Sequence, residues 1–286
     1  MGYQNKVIGI TSDEERAFYA SQETEFINIE ICGEADGESA FKESRDIEVA
    51  NSNFYLRYPF WHNTNLKVNN SNFYDKARAA FWYDENVEVN CCNGYGVKYF
   101  RECTNLKISS STFESEEIGW RCNNVEVVSS NITGFYAFFQ SSDIVIHGIE
   151  FKGKYSFQYA KNLTIENSNL DTKDAFWHAE NVVVRNSTIK SEYLAWYANG
   201  ITFINCKIIG TQPICYAKNV RFVNCEFEKA DLSFEYSEVN GDIYGDIISI
   251  KNPLSGSILI DKIPEMIIDK NDRSHGAFSI KEKYKN

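Results

Sequence analysis

Four residues set the chemistry to be explained: His62, Tyr83, Glu102 and Arg121, separated by 21, 19 and 19 positions. If each sits one coil above the last, about 4.8 Å away, His62 and Glu102 flank Tyr83 across about 9.6 Å. That is roughly one sugar's width. A base, a phenol, an acid and a cation then face one substrate, a set suited to acid-base cleavage. Arg121 beside Glu102 would hold it ionised. A second candidate set is Asp174, His178 and Tyr197, with Tyr159 beside it. His62 and His178 lie six coils apart, about 29 Å at the same rise, so they cannot share one reaction centre. The plain structural reading stands beside both. Lys98 with Glu117, and Glu102 with Arg121, are opposite charges one coil apart and favourable simply as cross-strand pairs.

What must position these residues is a repeat. Asp46-Ile-Glu-Val, Asn65-Leu-Lys-Val, Asn86-Val-Glu-Val, Asn105-Leu-Lys-Ile, Asn124-Val-Glu-Val and Asp143-Ile-Val-Ile recur, followed by Asn162-Leu-Thr-Ile, Asn181-Val-Val-Val, Gly200-Ile-Thr-Phe and Asn219-Val-Arg-Phe. Every step is 19 residues except the 21 from Asn65 to Asn86. A fixed period of this size marks a solenoid of stacked coils. Each coil is numbered here from its anchor. Slots 2 and 4 are apolar, the period-2 pattern of a strand with one buried face. Slot 6 is often Asn, as at Asn51, Asn70, Asn167, Asn186, Asn205 and Asn224. Asn suits a sharp bend in the left-handed region, and stacked Asn side chains can bond up the ladder. Slot 7 is Ser or Cys, slot 9 is apolar, and a second strand is expected over slots 13–18.

The fold class is all-β: a right-handed single-stranded parallel β-helix of about 19 residues per coil and roughly 11–12 coils, in a single domain over 1–286. Within it, 1–25 form an N-terminal cap, 26–238 the regular coils, 239–268 irregular final strands and 269–286 a charged tail or cap. Ser12-Asp-Glu-Glu15 has capping-box spacing and predicts a short helix closing a first coil near Phe26.

All five tryptophans, Trp61, Trp82, Trp120, Trp177 and Trp196, fall in slot 16, so Trp177 should lie over Trp196. Slots 14, 16 and 18 carry two charged residues, Arg101 and Asp84, against seven in slots 13, 15 and 17. Buried charge is costly, so parity points the tryptophans inward. Phe60, Phe81, Phe100, Phe138, Phe157 and Phe176 in slot 15 would then face out. With Gln140 and Tyr159 of slot 17, Phe60, Phe81, Phe100 and Phe176 are the expected sugar-binding strip. The competing reading buries both ladders in a thick aromatic coil.

Net charge is −11, which disfavours nucleic acid and anionic lipid as partners. No stretch reaches membrane-spanning length and the start does not read as a signal peptide, so a cytoplasmic protein is expected. Eight cysteines lack any Cys-x-x-Cys pair, so no metal is called for. Cys103 with Cys122, and Cys206 with Cys225, lie one repeat apart and read as reduced fillers of stacked core slots. Asp36-Gly-Glu38 and Glu116-Glu117 lack the alternating oxygens of a calcium loop. No phosphate loop or other cofactor motif occurs, and no cofactor is expected.

Several runs carry a resemblance: Gly37-Glu-Ser-Ala-Phe-Lys42, Tyr58-Pro-Phe-Trp-His62, Ala77-Arg-Ala-Ala-Phe-Trp-Tyr83, Lys173-Asp-Ala-Phe-Trp-His178, Glu192-Tyr-Leu-Ala-Trp-Tyr197, Gly210-Thr-Gln-Pro-Ile-Cys-Tyr216 and Phe234-Glu-Tyr-Ser237. The chain resembles a bacterial family carried as a domain of unknown function, with a right-handed parallel β-helix of the pectin-lyase-like type. The resemblance implies that fold and a bacterial cytosolic setting, and supplies no catalytic residues. The wider superfamily suggests polysaccharide lyases, hydrolases and epimerases, an analogy from fold alone. The expectation is a carbohydrate-active protein with a sugar ligand. Its alternative is a non-catalytic scaffold whose aromatic ladder is a protein–protein or self-association surface, the latter giving a homo-oligomer.

Overall fold

The computed structural model describes residues 3–270 and 277–283. The chain is an all-β parallel solenoid of about 14 turns, about 19 residues apart. It forms two compact units, Met1–Val145 and Ile146–Asn286.

In the first unit each coil contributes two strands and a turn-built corner. One wall stacks Asn5–Ile8, Gln22–Ile27, Arg45–Ala50, Thr64–Asn69, Glu85–Asn90, Thr104–Ser109 and Asn123–Val128. Pairing is parallel and in register, with Val68 opposite Val89 and Val89 opposite Ile108. Slots 2 and 4 point inward as the alternation requires: Ile47, Val49, Leu66, Val68, Val87 and Val89 are buried. The second unit repeats this wall over Lys161–Glu166, Glu180–Arg185 and Asn199–Ile204, with Leu163, Ile165, Val182 and Val184 buried.

The bend after this wall is closed by slots 6 and 7. Asn51, Asn70, Asn186 and Asn205 take φ between 47° and 52°, the left-handed conformation that Asn tolerates. The next residue's N–H is satisfied by a buried hydroxyl: Ser52 N–H donates to Ser71 Oγ at 3.1 Å and Ser111 N–H to Ser130 Oγ at 3.1 Å. Each hydroxyl in turn donates back along its own coil, as Ser71 Oγ does to Asn69 O at 2.8 Å. Asparagine ladders tie the coils from outside. Asn65 Nδ2 donates to Asp46 Oδ1 at 2.7 Å and Asn86 Nδ2 to Asn65 Oδ1 at 2.8 Å.

Four expectations are corrected. No helix occurs among the described residues, and Ser12–Ala20 is a strand end followed by turns. The N–H groups of Arg16, Phe18 and Ala20 donate to Glu38, Ala40 and Lys42 carbonyls of the next coil, so they are unavailable for helical bonds. The solenoid starts before Phe26, because Asn5–Ile8 already pairs with Thr24–Ile27. It has about 14 turns instead of 11–12. Finally, the charged stretch expected as a tail or cap over 269–286 contributes a strand, Ala277–Glu282, parallel to Ser255–Ile260. Residues 271–276 and 284–286 of that expectation, and 1–2 of the N-terminal cap, lie outside the described residues.

The corner over slots 13–18 is also not a continuous strand, only the two-residue strands Phe60–Trp61 and Phe81–Trp82 forming there among the described residues. It runs through turns in which slots 13, 15 and 17 take positive φ, as at Glu117 (58°), Phe138 (55°) and Arg121 (52°). A non-glycine residue costs about 1–2 kcal/mol in this region. Bonds between coils and apolar burial offset that cost. Two neighbours, slots 14 and 15, both turn inward: Ala80 with Phe81, Ile118 with Gly119 and Ala175 with Phe176 are buried. Slot 18 also points inward, slot 16 is half-buried and slot 17 faces out.

Candidate functional site

Slot 17 is held outward by its backbone. His62, Tyr83, Glu102 and Arg121 take φ of 52–58°, and their N–H groups donate to Trp82, Arg101, Trp120 and Phe139 carbonyls at 2.8–3.0 Å. The four predicted residues of the first unit therefore stand in one column. His62 and Tyr83 stack at 5.1 Å and 9°. A hydrogen bond to the Glu102 carboxylate raises the Tyr83 phenol above its ordinary pKa, with desolvation adding to it. Arg121 Nη1 lies 3.6 Å from Glu102 Oε1, and its Nε donates to Gln140 Oε1 at 3.2 Å. Gln140 is exposed, as expected.

Behind this column stands a pillar that the sequence reading missed. Trp61 and Trp82 stack at 5.5 Å and 12°. The Lys42 ammonium lies 4.2 Å from the Trp61 ring, and the Arg101 guanidinium lies 5.8 Å from Trp82 and 5.2 Å from Trp120. Cation–π contacts of this kind are worth about 0.5–2 kcal/mol. Arg101 also bonds Glu117 at 3.4 Å, and Glu117 lies 3.7 Å from Lys98. The available signal was position: Lys42 occupies slot 16 one coil before Trp61.

In the second unit the outer column is a ladder of rings. Tyr159 and His178 stack at 4.9 Å, His178 and Tyr197 at 4.9 Å, Tyr197 and Tyr216 at 5.0 Å, and Tyr216 and Tyr236 at 5.5 Å. The first three pairs are within 11° of parallel. The last rung is Tyr236, not Glu235 as strict counting gives, because Tyr216 N–H bonds the Glu235 carbonyl and shifts the place by one. Behind the ladder Trp177 lies over Trp196 at 5.6 Å and 3°, the stack that the repeat demands.

Two site expectations fail. Phe60, Phe81, Phe100 and Phe176 are each 0 % exposed, so they build the core and cannot touch a ligand. Parity misplaced them because it assumes an extended strand, and the left-handed residues at slots 13, 15 and 17 break the alternation. The same break leaves the tryptophans half-buried, not inside. The second catalytic set also comes apart. His178 and Tyr197 are stacked, but Asp174 is buried, its carboxyl pKa raised by desolvation, and its charged neighbours are Lys173, Glu192 and Lys154.

Stacking also decides what the ladder can offer. Rings piled face to face cover one another, so solvent meets their edges. Phenol hydroxyls and imidazole nitrogens, which both donate and accept, are the exposed chemistry. A sugar cannot lie flat on these rings but can hydrogen-bond along their rims. Among the described residues no group of three or more His, Cys, Asp or Glu could hold a metal ion. Asp36 and Glu38 are tied to Arg57 at 2.8 and 2.7 Å.

The class is a parallel β-solenoid whose turn-built corner carries an in-register column of polar and aromatic side chains. The chain belongs to the family described as Protein of unknown function (DUF3737), whose profile matches residues 5–281. No curated protein matches the sequence. Among solved structures it is similar to a mutant tailspike protein of E. coli bacteriophage HK620 in complex with hexasaccharide, at 7% identity and a TM-score of 0.39, over 96% of this chain and 69% of that one. It is similar to a mutant of the periplasmic alginate epimerase AlgG at 10% identity and 0.33, over 90% and 76%. It is similar to PfbA, a surface adhesin of Streptococcus pneumoniae, at 10% identity and 0.33, over 83% and 72%. These likenesses concern the chain path and carry no site residue across.

Proposed function

We propose that the protein binds carbohydrate chains along the slot-17 columns through ring edges and polar side chains. The observation that carries this is the second unit's ladder, in which Tyr159, Tyr197 and Tyr216 are 37–44 % exposed while locked by stacking and backbone bonds. Rows of pre-ordered hydroxyl groups lose little freedom on binding, which favours a hydroxyl-rich ligand. A glycan screen on the wild type and on a Tyr197→Ala, Tyr216→Ala double variant tests it. Binding by the wild type and loss in the folded double variant is the expected result. A screen without binding, together with a mass that rises with concentration, would instead support a self-associating scaffold.

A second reading, cleavage of the bound chain, is favoured by one cluster. Tyr83, whose phenol pKa the Glu102 carboxylate raises, and Arg121, which pairs with Glu102, gather a proton donor, an acceptor and a cation beside His62. Release of new reducing ends from a bound glycan, abolished by Glu102→Gln, is its signature. Binding without release leaves a lectin-like protein.

A further inference from the structure

The spacing and charge of the second unit's ladder narrow the ligand class. We infer that this ladder takes a neutral, extended glycan lying along the stack of coils, one sugar residue per coil. The inference rests on the carbohydrate reading above and deepens it.

Spacing comes first. The steps from Tyr159 to Tyr236 are 4.9, 4.9, 5.0 and 5.5 Å. They follow the rise between stacked strands, about 4.8 Å. An equatorially linked pyranose chain is ribbon-like and advances by nearly this distance per residue. It therefore presents a hydroxyl to each rung without bending. An α-linked glucan coils, and leaves a straight row after one or two contacts. The rungs cannot shift to follow it, because Tyr159, His178, Tyr197 and Tyr216 are pinned by N–H bonds of 2.8–3.0 Å to Trp177, Trp196, Cys215 and Glu235.

Charge comes second. Four of the five rungs are phenols and the fifth an imidazole, and none is a Lys, Arg, Asp or Glu. Of the lysines flanking the ladder, Lys161 pairs with Glu180 at 3.2 Å, Lys173 with Glu192 at 3.0 Å and Lys251 with Glu235 at 2.8 Å, which leaves Lys218 beside Tyr216 outside any ion pair among the described residues. A net charge of −11 adds repulsion for any polyanion. An acidic sugar would find there a single unpaired cation among the described residues, Lys218, in an unfavourable overall field. Neutral hydroxyls match phenol rims, which act as donor and acceptor.

The test is calorimetric titration with neutral extended oligomers (cello-, xylo- and chito-oligosaccharides of two to six residues), with maltohexaose and with an oligogalacturonate. At least one extended series should bind, its affinity rising with each residue up to five and then levelling. Tyr197→Phe with Tyr216→Phe keeps the stack and removes two hydroxyls. It should weaken binding by about 5–10-fold per hydroxyl, as expected for lost hydrogen bonds. Maltohexaose binding as tightly, or the galacturonate binding more tightly, overturns this inference and leaves the carbohydrate reading standing. An affinity blind to chain length also overturns it. Failure of every sugar, acidic and α-linked ones included, sinks both.

Discussion

Between His62 and Arg121 the outer column carries an imidazole, a phenol, a carboxylate and a guanidinium, whereas between Tyr159 and Tyr236 it carries four phenols and one imidazole. The backbone beneath is the same, with left-handed residues at the same slots and N–H bonds to the next coil. The indoles behind it differ. In the first unit Trp61 and Trp82 lie within 19° of the planes of His62 and Tyr83, and their buried Nε1 atoms have no partner. In the second, Trp196 stands at 74° to Tyr197, and Trp177 and Trp196 donate Nε1 to the carbonyls of Tyr193 and Gln212 at 3.1 and 2.9 Å. Cations cap the first pair of indoles, at Lys42 and Arg101. One corner geometry thus supports an ionic surface and a neutral one, depending on what fills slot 17.

The sharpest way to break the comparison is through the shared core. Phe100→Ala and Phe176→Ala each empty a fully buried slot 15 and should cost about 3–5 kcal/mol in urea unfolding. Losses differing by more than about 2 kcal/mol would show that the two corners are not built alike.

Next in size is a substitution private to the first unit. Tyr99 fills slot 14, where smaller residues usually stand, and Gly94 makes room: a Cβ there would lie 2.5 Å from Phe113 and 2.7 Å from Tyr99. Gly94→Ala should cost about 1–3 kcal/mol, and Tyr99→Ala in the same chain should return part of it. The absence of any rescue would place the strain elsewhere.

Asp84 offers a test through pH. It is fully buried, Oδ1 accepts from Asn63 N–H at 2.7 Å, and Oδ2 has no partner. Burial raises its pKa well above the ordinary 3.8. Below about 3.8 the folded and unfolded chains both hold the proton. As pH rises past that value only the unfolded chain ionises, so stability falls. Asp84→Asn should therefore stabilise by about 1–2 kcal/mol at pH 7 and by nothing at pH 3, read by thermal melts. Equal effects at both pH values would contradict a carboxyl pKa raised by burial.

Arg101→Leu should cost about 1–2 kcal/mol and change tryptophan emission, because it uncovers Trp82 and Trp120. The smallest effect is spectroscopic. Glu102→Gln should lower the Tyr83 pKa toward its ordinary value in an absorbance titration, leaving Tyr197 and Tyr216 where they were.

The walls were legible because extended strands obey a period of two: Leu66 and Val68 announced their burial by alternation alone. The corner was not, because Phe and Tyr rarely take positive φ and nothing in their identity signals it. A signal did exist in the pairs Pro59-Phe60, Ala80-Phe81 and Ala137-Phe138, each adjacent and apolar. Two neighbours can both turn inward only where the chain bends. The column His62, Tyr83, Glu102 and Arg121 was readable from spacing, since register does not depend on parity. The edge-on ladder was not, since spacing says nothing about ring planes.

The one 21-residue coil shows where the design is permissive. Phe54 still pairs with Phe73, and Phe60 with Phe81, so the two extra residues are absorbed between them, where Asp75, Lys76 and Arg78 bulge to the surface. Walls are locked by hydrogen bonds to both neighbours; in this elbow Ala77 is buried and the Arg78 carbonyl accepts from Tyr58 N–H at 3.0 Å, while Asp75 and Lys76 are exposed. Foreign loops grafted between Asp75 and Lys76 should be carried without disturbing the stack, which makes the elbow a natural point for lengthening the chain or attaching a label.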